Sequence, residues 1–185
     1  MLGFSELTPA LTFACPTVET NLHAYNIIKV LIDLGRPEEA EPRARQLLAT
    51  RQKTLGNDDR RTVNATRILA SSLSDQTSAH TKKCGVFQTL SLEILSKMSE
   101  SVRLYQEAFQ ADTRIHGPRH ESTLTSQHNL GLTLCKAAEL TIDPRQHVDG
   151  CTAIYTALAL RIELLGESHP DTLASKRCLA FYSLF

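Results

Sequence analysis

The chain has 185 residues, 42% of them hydrophobic and 22% charged, which suits one or two compact units and argues against a disordered chain. Its 20 Lys and Arg balance 20 Asp and Glu, so no charge excess draws it toward nucleic acid or an anionic membrane. No apolar run approaches the ~18–20 residues of a membrane helix. Met1–Cys15 carries Glu6 and Pro9 with no basic residue ahead of them, unlike a secretory leader. The five cysteines are scattered, with no C-x-x-C pair. They read as small buried hydrophobes in a reducing compartment, and the expected location is cytoplasmic.

Along the chain, residues 1–19 are expected to form a partly disordered N-terminal segment, and 20–185 one repeat domain. In the first unit Ile27, Val30, Leu31 and Leu34 fall at helical spacing before Gly35, where a helix C-cap glycine belongs. Pro37, Glu38 and Glu39 suit the first turn of a second helix, with Ala40, Ala44, Leu47 and Leu48 on one face up to Gly56. The second unit holds an insertion near 77–100. There Ser78–Gly85 reads as loop, and Val86–Met98 as an added helix or an extension running into Ser101–His116. A smaller insertion lies near 138–148, where Asp143-Pro144 marks a turn. Cys151, Ile154, Ala157, Leu158 and Leu165 repeat the second-helix pattern. The chain stops at Phe185, inside a further first helix, which leaves Leu179, Phe181, Tyr182 and Leu184 without a covering partner. That end suggests a piece of a longer array, or self-association through the C-terminal helix.

The segments beginning at Gly56, Gly117 and Gly166 share one register. Each glycine is followed six residues later by Thr, then by Val or Leu. An aliphatic and a small residue follow at fixed offsets: Leu69-Ala70, Leu130-Gly131 and Leu179-Ala180. Counting back from Thr62 reaches Thr20, so the units begin at Thr20, Thr62, Thr123 and Thr172, at intervals of 42, 61 and 49 residues. A 42-residue beat that survives two insertions indicates stacked supersecondary units. Small residues where paired helices cross would let their axes approach.

The pattern resembles the tetratricopeptide repeat, in its 42-residue form known from kinesin light chains. The residues that carry the likeness are Gly35-Arg36-Pro37-Glu38-Glu39-Ala40-Glu41-Pro42, Leu165-Gly166-Glu167-Ser168-His169-Pro170-Asp171-Thr172-Leu173, and Thr123 to Gly131. The likeness covers about residues 20–185. Two positions depart from it: Asp59-Arg60 stands where the junction usually holds His-Pro, and Ser101 where the second helix usually holds Ala. The resemblance implies an all-α, right-handed solenoid of stacked antiparallel helix pairs, with three full repeats plus the first helix of a fourth. It also implies that the first helices line a concave groove.

By that register, positions two, five and nine after each repeat Thr face the groove. They are Leu22, Tyr25 and Lys29; Asn64, Arg67 and Ser71; Thr125, His128 and Leu132; Ala174, Arg177 and Phe181. The middle row, Tyr25, Arg67, His128 and Arg177, is suited to an extended acidic or polar peptide, since guanidinium groups pair with carboxylates. None of the four is the asparagine that kinesin light chains carry in that row. Arg67→Glu with Arg177→Glu is expected to weaken partner binding without unfolding the chain.

No catalytic constellation appears. The sequence has no phosphate loop, nucleophile elbow or H-E-x-x-H, and Gly117-Pro118 separates His116 from His120, which removes the helical spacing a metal pair needs. No catalytic, cofactor-binding or metal-ligating residue is expected. The leading reading is a non-catalytic adaptor that binds a peptide segment of another protein, with neither nucleic acid nor membrane as partner. A second reading is the sensor or regulatory repeat region of a larger signalling ATPase whose nucleotide-binding module lies outside this chain.

Overall fold

The computed structural model describes residues 18–84 and 91–183, with side chains over 23–81 and 91–183. Seven helices follow one another there: α1 (Val18–Asp33), α2 (Pro37–Leu55), α3 (Arg60–Cys84), α4 (Leu92–His116), α5 (Glu121–Thr141), α6 (Pro144–Leu165) and α7 (Pro170–Tyr182). Each packs on its sequence neighbour, and the first helices α1, α3, α5 and α7 also touch in succession. The result is a helical-repeat solenoid of three hairpins and a further first helix. Among the described residues there is no strand.

The repeat register has a backbone cause. Gly56, Gly117 and Gly166 close the second helices at φ 83°, 84° and 88°, with ψ between 165° and 174°. That region is open essentially to glycine alone. Three residues later Asp59, His120 and His169 each cap the next helix. Asp59 Oδ1 accepts from the Arg61 N–H at 2.8 Å, and the two histidine Nδ1 atoms accept from the Ser122 and Asp171 N–H groups at 3.1 and 3.3 Å. A carboxylate therefore does at the first of these junctions what imidazole does at the other two. The repeat threonines Thr62, Thr123 and Thr172 are buried, which explains why a small β-branched residue returns at that beat.

Helix pairs cross on small side chains. A Cβ on Gly131 would stand 2.7 Å from the Gly150 carbonyl oxygen, so α5 and α6 meet there almost backbone to backbone. At the same register Ala70 faces Ser101, whose buried hydroxyl donates to the Ala70 carbonyl at 2.7 Å. The departure at Ser101 is thus a satisfied one.

Three expectations need correction. Ser78–Cys84 is not loop: α3 continues through it, and Gly85 to Leu90 lie outside the described residues. The stretch looks like loop by composition, yet Ser78 and Thr81 find partners within the helix. Ser78 and Thr81 hydroxyls donate to the Ser74 and Thr77 carbonyls at 2.9 and 2.8 Å, and buried Gln76 donates to the Pro37 carbonyl at 3.1 Å. From Leu92 onward the insertion is part of α4, capped by Ser91, so α3 and α4 both reach 25 residues. In α1, Ile28 and Leu31 are the buried pair, while Ile27, Val30 and Leu34 are exposed. At the end of the chain Tyr182 packs with Cys135 and Ile154, Phe181 is 56% exposed, and Leu184 and Phe185 lie outside the described residues. So does the whole segment before Val18.

Candidate functional site

The helices α1, α3, α5 and α7 touch in succession, and the register rows fall on these four helices. The middle row is largely taken up inside the fold. In each unit, the side chain five after the repeat Thr is matched by the residue five before the closing glycine of the second helix. Arg51 lies over the Tyr25 ring, 5.8 Å from its centroid. Asp112, 1% exposed, is 3.8 Å from the Arg67 guanidinium and accepts from the Ser126 hydroxyl at 2.5 Å. Arg161, also buried, donates to the Asp171 carbonyl at 3.0 Å, to Ser175 Oγ at 2.8 Å and to Thr125 Oγ1 at 3.1 Å.

His128 is buried beside this last group, with Nδ1 3.2 Å from Ser175 Oγ. Burial, reinforced by the Arg161 charge, lowers its pKa to about 4, so it is neutral at neutral pH. Arg67 donates to the side-chain oxygen of Asn64 and more weakly to the Ser122 carbonyl at 3.5 Å. Arg67→Glu would therefore set a second carboxylate against buried Asp112, and it is expected to destabilise the fold as well as change the face. The Arg67→Glu/Arg177→Glu pair is therefore expected to affect folding as well as binding.

The remaining groove candidates differ in access. Lys29 and Arg177 are exposed, Tyr25, Asn64, Arg67, Ser71 and Leu132 are half-buried, and Phe181 is exposed. Ser71 donates to Asp75 at 3.3 Å. One turn beyond the last predicted row, Lys136 sits 3.9 Å from Asp75 and donates to Ser74 Oγ at 3.3 Å. Asp75 and Lys136 border a cavity of about 340 Å³ with Ser78, Leu140, Phe181 and Tyr182. Asp75 and Lys136 were not among the predicted positions. Both stand thirteen residues after their repeat Thr, so the same count carried one turn further would have named them.

His116 and His120 stack, with ring centroids 4.4 Å apart, as the end of α4 and the cap of α5. No helix among the described residues is long and apolar enough to cross a membrane.

These features define an array of helical hairpins whose first helices share one face. Residues 29–61, from late α1 through α2 to the start of α3, match the family model "Tetratricopeptide repeat". That segment is similar to a tetratricopeptide repeat. Two solved structures of a Podosopora anserina kinesin light chain with nearly identical TPR-like repeats, one of them with a Gln-to-Met substitution, align with it at 18% identity and a TM-score of 0.41. They cover 88% of this chain and 84% and 85% of theirs. No curated protein matches the chain. Tetratricopeptide repeats mediate protein–protein interaction and are typically non-catalytic.

Proposed function

We propose that this protein is a non-catalytic, cytoplasmic adaptor whose first-helix face binds an extended peptide segment of another protein. The observation that carries this is the succession of α1, α3, α5 and α7 along one face, with Lys29 near one end and Arg177 near the other, both exposed. Neither has a partner within the fold among the hydrogen bonds and ion pairs described above, so both are available to carboxylates of an acidic segment. Phe181 and Leu132 offer apolar contact between them. Arg67 contributes less than its place in the row suggests, because its charge already answers Asp112.

The test is selection of peptides from a random displayed library against the full chain, followed by titration of a selected peptide. Lys29→Glu with Arg177→Glu should weaken binding about tenfold or more while the far-UV spectrum and melting temperature stay unchanged. Undiminished affinity in that folded variant would refute the assignment of the face.

A further inference from the structure

The hairpin of α5 and α6 gathers three soft ligands that the interaction face does not use. Cys135 of α5 is fully buried, and His147 and Cys151 stand one turn apart on α6. Their ligand atoms all lie within 4.8 Å of one another. Cys135 Sγ is 3.9 Å from Cys151 Sγ, and Cys151 Sγ is 3.5 Å from His147 Nε2. With Zn–S near 2.3 Å and Zn–N near 2.0–2.1 Å, a tetrahedral zinc spaces two sulfurs by about 3.8 Å and a sulfur and a nitrogen by about 3.5 Å. Two of the three sides therefore already have the lengths of a zinc tetrahedron, and only the Cys135–His147 side has to close.

The fold makes room for this cluster. A Cβ on Gly150 would stand 2.6 Å from Cys135 Sγ, so the missing side chain at the helix crossing is what lets the thiol sit between the helices. Ile154 and Tyr182 pack around it, giving the site an apolar wall. We propose that Cys135, His147 and Cys151 bind a zinc ion that staples α5 to α6. Two thiolates and an imidazole are the donor set that suits zinc among the common divalent ions. The thiols ligate as thiolates, so the ion displaces their protons to solvent as it binds. The fourth position is open to water.

The site also touches α7. His147 Nε2 is 3.0 Å from the Tyr182 carbonyl. Coordination through Nε2 replaces that contact and ties the ion to the packing of the last helix.

The experiment uses the full reduced chain and Co²⁺ as probe, then Zn²⁺. One Co²⁺ per chain should give thiolate-to-cobalt charge transfer and the visible bands of tetrahedral cobalt, bleached by stoichiometric Zn²⁺. The signal should persist in Cys15→Ser/Cys84→Ser, weaken at least tenfold in affinity in Cys151→Ser, and vanish in Cys151→Ser/His147→Gln. Should those variants not fold, Zn²⁺ should still slow alkylation of Cys135 and Cys151, but not of Cys84, in the unsubstituted chain. Absence of charge transfer, a signal unchanged in the folded double variant, or alkylation indifferent to Zn²⁺ would overturn the proposal.

Discussion

Replacing Arg67 by Met removes the cation that answers Asp112. The Asp112 carboxylate is 1% exposed, and without Arg67 its remaining described partner is the Ser126 hydroxyl at 2.5 Å. Breaking a buried pair from one side costs roughly 3–5 kcal/mol, because the surviving charge stays desolvated. The Arg67 side chain keeps 20% of its surface in water and its guanidinium is 3.8 Å away, so the lower end applies, about 3 kcal/mol. For a chain of this size that is roughly 6–12 °C in melting temperature. In urea unfolding followed by far-UV circular dichroism, the midpoint should fall with the slope unchanged. Arg67→Met combined with Asp112→Asn removes the stranded charge and should return to within about 1 kcal/mol of the starting protein. Strictly additive losses, or a single-variant loss below about 1 kcal/mol, would refute the pairing and return Arg67 to the open face.

Three further outcomes follow from the same geometry. Gly131→Ala should destabilise by about 2 kcal/mol in urea, since overpacking against the Gly150 carbonyl outweighs the ~1 kcal/mol helix-propensity gain; a stabilised variant would show that α5 and α6 do not cross there. Ile142→Gly should stabilise by about 1 kcal/mol by calorimetry, because Ile142 is a 79% exposed β-branched residue held at φ 54°. His128 has a folded pKa of about 4 against ~6.5 unfolded, so the unfolded chain binds more protons between those values. Stability should therefore fall as pH drops from 6.5 toward 4, by up to about 1.4 kcal/mol per pH unit, with no contribution from this group above 6.5. His128→Gln should flatten that window in pH-dependent unfolding, and an unchanged slope would contradict its burial.

The fold was readable because its grammar is local. A glycine at φ near 85°, a cap three residues on and a buried threonine three further sit within one short window, and each has a single physical cause. Ser78–Gly85 misled because composition says loop, while the helix that runs into it is held by distant partners such as the Pro37 carbonyl, 39 residues from Gln76. The register rows could be placed by position, but the availability of their side chains could not. Counting from the threonine identifies Arg67 and His128, yet Asp112 and Ser175 come from other helices, so only the packed structure shows the two occupied. The Cys135 cluster was hidden in the same way. His147 and Cys151 share a helical turn, but Cys135 joins them only through the hairpin at Asp143-Pro144.

The adaptor account is tested most directly by photo-crosslinking a selected peptide that carries benzophenone along its length, with attachment sites mapped by mass spectrometry. Attachment should fall on α1, α3, α5 and α7, around Lys29, Ser71, Leu132 and Arg177. Cross-links confined to the opposite side, at Arg45, Glu100 and Arg103 of α2 and α4, would contradict it.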